Sequence, residues 1–344
     1  MTVGTDSGHQ SAALPEPQAF ALNNEALENF AYASYKKVHD VALALVNAHY
    51  ARPPARVYYM GTSEGGREGL AMAQRFPQDY DGIISRVPVL NWVGLQHVGW
   101  RGGVSQQRGG WLNPARVRLL QRAVIDACDG LDGLKDGVIS HYVGCGAAFK
   151  PAALRCPSGK DEGDVCLSDE QVATIAALHS PFTFPFALAN GVTSYPGFGY
   201  GGEAQAGGLG EWVTGAQPPT APAEQGQATQ WRFGSGAMRY FVLKNGAADP
   251  FTYAPEKHAD RVREVSALMD ATNPDLSAFA SRGGKLIVKE HMADYAQSPF
   301  AGIGYYQSVA KTMGQGRVDT FMRLYVMPGA GHNGNGVSGD SGEP

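Results

Sequence analysis

A serine between two glycines, set where a strand-like run gives way to a helix-like run, constrains this chain more than any other feature. Arg56 to Met60 is short, apolar and aromatic, as buried strands are. It runs straight into Gly61-Thr62-Ser63-Glu64-Gly65-Gly66, and Arg67 to Arg75 then has helix-forming composition. With 45 glycines in 344 residues, the bare G-x-S-x-G pattern can arise by chance as an ordinary turn. The strand–turn–helix context makes it a candidate nucleophile elbow, where the serine backbone is strained and small neighbours avoid clashes. A helix beginning there aims its first amides at a developing negative charge, so the Glu64 amide is the first candidate oxyanion donor.

The rest of the chain supplies strands and helices in an order that suits this reading. Thr2 to Thr5 reads as a short strand. Glu25 to Asn47 reads as a helix, with Val38, Val41, Ala42, Leu45 and Val46 at helical spacing, broken by Pro53-Pro54. Asp81 to Ser85 and Val87 to Leu90 read as strand and strand end. After Asn273, a short helix (274–281), a strand (285–289), a helix (303–313) and a strand (321–326) follow. Asp294 comes five residues after the first of these strands, and His332 six after the second. Loops beyond strand C-terminal ends are where active sites of open α/β sheets gather. Ser63, Asp294 and His332 also run in the chain order of an α/β-hydrolase triad. His332 would be the general base, and Asp294 would hold its tautomer. His291 and Asp319 are the rivals. The first sits too near the Asp294 loop, and the second precedes its strand.

Between these parts the character changes. Residues 91–272 hold long Gly/Pro-rich loops, all four cysteines and all five tryptophans. Two helices stand out there, Pro114 to Cys128 and Ser168 to His179, the latter opening on a capping box of Ser168 and Gln171. The chain therefore divides into a first core part (1–90), an inserted domain (91–272) and a second core part (273–344). The fold class is α/β, with a mostly parallel sheet.

The net charge of −4 gives no basic footprint for nucleic acid, and no apolar run approaches a membrane helix. Cys128, Cys145, Cys156 and Cys166 lie within 39 residues and form no zinc pattern. Two short-range disulfides, Cys128–Cys145 and Cys156–Cys166, are the simplest reading. Four reduced thiols are the alternative. Disulfides imply an oxidising compartment, whereas Met1 to Leu14 carries no secretory signal. The aromatics of the inserted domain, Trp92, Trp100, Trp111, Phe198, Tyr200, Trp212, Trp231, Phe233 and Tyr240, suit either a pocket for planar groups or that domain's own small core.

These residues resemble the tannase and feruloyl esterase family of α/β-hydrolases, over nearly the whole chain. The resemblance rests on Thr5-Asp6-Ser7-Gly8-His9, Arg52-Pro53-Pro54-Ala55-Arg56, Gly61 to Gly69, Gln74-Arg75-Phe76-Pro77, Tyr80-Asp81-Gly82-Ile83-Ile84, Asn273-Pro274-Asp275-Leu276 and Pro328-Gly329-Ala330-Gly331-His332. It implies a hydrolase core with a large inserted lid, and Ser63, Asp294 and His332 as the triad. It further implies a secreted or periplasmic hydrolase of hydroxycinnamoyl, galloyl or related aromatic esters, working through an acyl-enzyme, with no organic cofactor. The Cys128 to Ile139 segment is similar to the family's lid calcium loop. Asp129, Asp132 and Asp136 would bind through side chains, and Leu134 and Val138 through carbonyls, a hard-oxygen set. The family's pairing matches the two disulfides named above.

Three departures temper the resemblance. Relatives carry cysteines immediately before the nucleophile and the base, where this chain has Thr62 and Gly331. His291-Met292-Ala293 differs from the commoner Gly-Trp-Ala. Relatives also have further strands and a Gly-rich oxyanion loop ahead of the Thr5–His9 motif, so the sheet is expected to lack its first strands. A second oxyanion donor then has no evident source, and losing one such donor costs roughly 10²–10³ in turnover. An exposed edge would favour association, with a homo-oligomer as one outcome. Two other functions compete with the esterase: a truncated, weakly active chain that only binds aromatic ligands, and a hydrolase of another acyl bond.

Overall fold

A computed structural model describes residues 2–10, 14 and 16–338. Four strands build the central sheet: β1 (Tyr58–Thr62), β2 (Gly82–Arg86), β5 (Lys285–His291) and β6 (Met322–Met327). Their order is β1-β2-β5-β6 and every pairing is parallel. β3 (Phe182–Thr183) and β4 (Ser194–Tyr195) form a separate antiparallel pair inside the long excursion between β2 and β5.

Side chains alternate across the sheet as the pleat requires. Ile83, Ser85, Leu286, Val288, Glu290 and Met322 are buried on one face. Helices Glu64–Arg75 and Pro299–Met313 pack there and share a core with Leu70, Phe279, Tyr305 and Val309. On the other face Tyr58 and Met60 stay 72% and 67% exposed, and Tyr325 is also exposed. Parallel sheets are usually covered on both faces. Here β1 lies at the sheet's edge with its apolar side chains in water.

Two further cores lie in the excursion between β2 and β5. One surrounds the Cys128–Cys145 disulfide with Leu112, Leu120, Val124 and Phe149. The other joins Trp92, Phe241, Tyr253 and Val262 to Phe20, Leu27 and Ala31 of the N-terminal segment. Both disulfides are formed, with Cα–Cα separations of 5.1 Å (Cys128–Cys145) and 5.0 Å (Cys156–Cys166). The capping box at Ser168 and Gln171 is present, and helices span Pro114–Cys128 and Asp169–Leu178.

Several sequence expectations need correction. Thr2 to Thr5 forms no strand; Thr5 and Asp6 side chains instead accept amides in a local turn. β2 ends at Arg86, and Val87, with φ of 40°, turns the chain away before any strand over 87–90. The Val41/Leu45 stripe of the helix Ser34–Tyr50 faces solvent, at 58% and 54% exposure. That helix packs instead through Tyr35 and His39. A short helix, Gln315–Phe321, precedes β6 and was not expected.

Candidate functional site

Ser63 occupies the turn between β1 and the helix Glu64–Arg75, with φ 62° and ψ −118°. A non-glycine residue at positive φ stores strain that the surroundings must hold in place. Ser63 N donates to Arg86 O at 2.9 Å, and Ser63 O accepts from Val89 N and Arg67 N, both at 3.2 Å. A Cβ on Gly61 would fall 2.2 Å from Gly65 O, and one on Gly66 would fall 2.8 Å from Arg86 O. Both positions thus require glycine for close backbone approach. Gly65 does not, since its nearest neighbour would be Tyr59 Oη at 3.8 Å.

The helix behind the turn is anchored by a residue that the sequence reading passed over. Arg67 is fully buried. Its Nε donates to Glu64 Oε1 at 2.6 Å, and Nη1 donates to Ala31 O (2.8 Å) and Met269 O (3.1 Å). Nη2 reaches Phe30 O at 3.2 Å. One guanidinium therefore ties the elbow helix to the N-terminal segment and to the end of the excursion. The only signal in the sequence was a charge three residues after Glu64 on a helix. Burial pushes the Glu64 carboxyl up from its ordinary pKa, and the Arg67 charge opposes that shift.

Asp294 and His332 meet. His332 Nδ1 lies 2.7 Å from Asp294 Oδ2, and both residues are buried. Asp294 Oδ1 accepts from the amides of Ala296 (2.7 Å) and Gln297 (3.2 Å). A carboxylate has no hydrogen to give. It can only accept from the ring, so Nδ1 carries the hydrogen and Nε2 is left as the acceptor. Among the described residues, no hydrogen bond joins Ser63 Oγ to this ring. The structure brings acid and base together and presents the serine on its strained turn.

The loops bearing Asp294 and His332 are fastened to each other. Met292 N donates to Met327 O and Ala293 N to Ala330 O, each at 3.0 Å. His291, the rival base, is fully buried, and its Nδ1 lies 2.7 Å from Gly331 O. The excursion grips the Asp294 loop as well: Ser298 N donates to Tyr195 Oη and Gln230 Nε2 donates to Tyr295 O, both at 2.7 Å. Asp319, the rival acid, is exposed on its helix, bonded by Gln315 at 2.7 Å and ahead of β6.

Of the nine aromatics of the excursion, Trp212 is the one whose ring meets His332, at 5.3 Å between centroids in an edge-on arrangement. Most of the others have partners within their own cores. Trp92 packs on Phe241, Trp231 stacks on Phe251, Tyr200 stacks on His179 and Phe198 on Tyr295. Trp100 and Trp111 donate to Pro250 O and Thr214 O. Phe233 is exposed and Tyr240 is buried in the second core.

In the Asp-rich loop, Asp129 Oδ1 accepts from Gly137 N (2.9 Å) and Asp136 Oδ1 from Val138 N (3.0 Å). Asp132 accepts from Leu134 N (2.9 Å) and Ser140 N (3.2 Å), and the Leu134 amide lowers its pKa. Among the described residues, one trio of metal-binding side chains has its donor atoms within 4.8 Å of one another: His39, Asp40 and Asp79. There Lys36 Nζ is already paired with Asp40 and lies 3.5 Å from Asp79.

A family model described as tannase and feruloyl esterase matches residues 1–342. The chain is 35% identical to an uncharacterized esterase of Agrobacterium fabrum, over 98% of this chain and 62% of that protein. It is 32% identical to a probable feruloyl esterase of Arthroderma benhamiae, again over 98% and 62%. The crystal structure of an esterase from Aspergillus oryzae superposes with a TM-score of 0.81 at 25% identity, covering 97% of this chain and 62% of that one. The chain thus spans a little over three fifths of these relatives' length.

Proposed function

The chain belongs to the tannase and feruloyl esterase family, and on that premise we propose that it is a serine-dependent carboxylic ester hydrolase acting on aromatic esters of hydroxycinnamoyl, galloyl or related acids. The observation that carries the proposal is the 2.7 Å contact between His332 Nδ1 and Asp294 Oδ2, which leaves Nε2 as a proton acceptor. Ser63 Oγ attacks the ester carbonyl and His332 takes its proton. Asp294 steadies the imidazolium, and the tetrahedral oxyanion meets the Glu64 amide at the helix start. His332 then protonates the leaving alcohol, and water discharges the acyl-enzyme by the same route in reverse. The Ser63–His332 hydrogen bond closes in the substrate complex, as catalytic contacts that are loose without substrate commonly do. Trp212, edge-on to His332, offers an aromatic wall beside the acyl carbon.

Asp129, Asp132 and Asp136, with the Leu134 and Val138 carbonyls, are the hard oxygens that would take a calcium ion on a loop clamped by Cys128–Cys145; their carboxylates do not all lie within 4.8 Å of one another and would draw together on the ion. Bound there, calcium would neutralise the loop's charge and stiffen it. The two disulfides support a secreted or periplasmic location. No helix among the described residues is long and apolar enough to cross a membrane.

A fluorophosphonate probe tests the proposal. The folded chain should be labelled at Ser63, and Ser63→Ala should lose both the label and hydrolysis of methyl hydroxycinnamates. A folded chain that resists labelling overturns it. The absence of a Ser63–His332 hydrogen bond supports a second reading, a chain that binds aromatic ligands without turnover. That reading predicts an affinity unchanged by His332→Ala.

A further inference from the structure

A second buried carboxyl stands behind the acid and has no role in the mechanism above. Glu290, near the end of β5, is fully buried on the helix-covered face of the sheet. Its Oε2 accepts from Gln297 Nε2 at 2.7 Å. The same Nε2 lies 3.4 Å from Asp294 Oδ2, the oxygen that holds His332. Gln297 also gives its backbone amide to Asp294 Oδ1. The site is shaped for this carboxyl, because a Cβ on Gly302 of the facing helix would fall 1.7 Å from Glu290 Oε1.

The chemistry of the donors fixes the orientation of the amide. Asp294 Oδ2 already accepts from His332 and has no hydrogen to give, so one hydrogen of Gln297 Nε2 turns toward it and the other toward Glu290 Oε2. Rotating the amide would set its oxygen against Asp294 Oδ2, oxygen to oxygen. Tyr195, from β4, faces the same space and donates nothing to these carboxyls; its phenol accepts from Ser298 N. We propose that Gln297, seated on Glu290, is a positioning residue that holds Asp294 Oδ2 against the His332 ring, a role that rests on His332 being the general base. Two carboxyls bridged by one amide cannot both ionise cheaply in a dry site. Burial raises the Glu290 pKa well above the ordinary value, and the neighbouring Asp294 charge adds to the shift. Burial thus disfavours an anion at Glu290, behind the Asp294–His332 pair.

The experiment combines kinetics with a readout that needs no turnover. Gln297→Met keeps the volume and removes the amide. It should lower kcat by roughly 10-fold to 10²-fold with KM little changed. In the same variant the downfield Nδ1 proton resonance of His332 should move upfield. Glu290→Gln, neutral and still able to accept from Gln297, should retain kcat within about 3-fold, the scale of an unperturbed site. Glu290→Leu should behave like Gln297→Met. A folded Gln297→Met with unchanged kcat and an unmoved His332 resonance overturns the proposal. So does Glu290→Gln falling as far as Glu290→Leu. If the unmodified chain hydrolyses no ester, the esterase reading fails on its own, while the His332 resonance still decides the role of Gln297.

Discussion

His291 Nδ1 lies 2.7 Å from the Gly331 carbonyl, so the imidazole that competes with His332 in the sequence is instead its brace. A carbonyl only accepts, which puts the hydrogen on Nδ1 of His291. The brace acts one residue before His332, where relatives carry a cysteine. Replacing it should loosen the loop without removing the base. His291→Ala is expected to lower kcat/KM by up to roughly 10². His332→Ala should lower it by on the order of 10⁴ to 10⁶. Steady-state kinetics on one aromatic ester distinguishes them, and equal losses would assign His291 a chemical role.

The elbow glycines are not equivalent. A methyl at Gly61 would strike the Gly65 carbonyl at 2.2 Å, whereas at Gly65 it meets nothing nearer than 3.8 Å. Gly61→Ala should therefore cost at least about 1–3 kcal/mol of stability. Gly65→Ala should be neutral or gain up to about 1 kcal/mol from helix propensity. Urea denaturation midpoints of the two variants measure the contrast.

Stability should fall as pH rises from about 4 to about 7, with Asp270 as one cause. This carboxyl is buried and accepts from Val93 N at 2.9 Å and from Ser266 Oγ at 2.5 Å. Burial pushes its pKa up to about 7, above the 3.8 of a free aspartate. Between those values the folded chain holds the proton more tightly than the unfolded chain does, so raising the pH favours unfolding. The contribution is full below the unfolded value and lost once the pH passes about 7. Asp270→Asn should flatten that part of the profile. A denaturant series at several pH values with the same slope in both proteins would refute this.

Chelation offers a fourth test. With calcium at 100 times its dissociation constant, the folded state should gain about 2.7 kcal/mol. EDTA should lower Tm, added calcium should restore it, and Asp132→Asn with Asp136→Asn should abolish the response. A Tm indifferent to both additions would leave the loop as an amide-closed turn.

Local patterns carried much of this molecule into view. The strand–serine–helix junction, the two disulfides and the capping box at Ser168 depend on neighbours close in the chain, and each is present. The Asp294–His332 contact spans 38 positions, yet the triad's chain order and the strand context together pointed to it, because both residues follow parallel strands at the same sheet end. What escaped depends on distant packing. Arg67 finds Met269 across 202 positions, and no local pattern announces such a partner. Val41 and Leu45 have helical spacing, but the face they mark has nothing packed on it, while Tyr35 and His39 do the anchoring. The aromatics of the excursion were equally ambiguous: ring chemistry suits stacking on a ligand or on other rings of the protein, and here most have such rings as partners.

The uneven covering of the sheet has a mechanical consequence. β1 leads into Ser63, and its outward side chains have solvent behind them, whereas β5, leading toward Asp294, is flanked by strands on both sides. The nucleophile is thus mounted on one edge of the frame, the base follows the other edge, β6, and the acid follows an inner strand. Amide hydrogens of β1 will exchange before those of β5, and heat will loosen the mount of the serine before that of the aspartate.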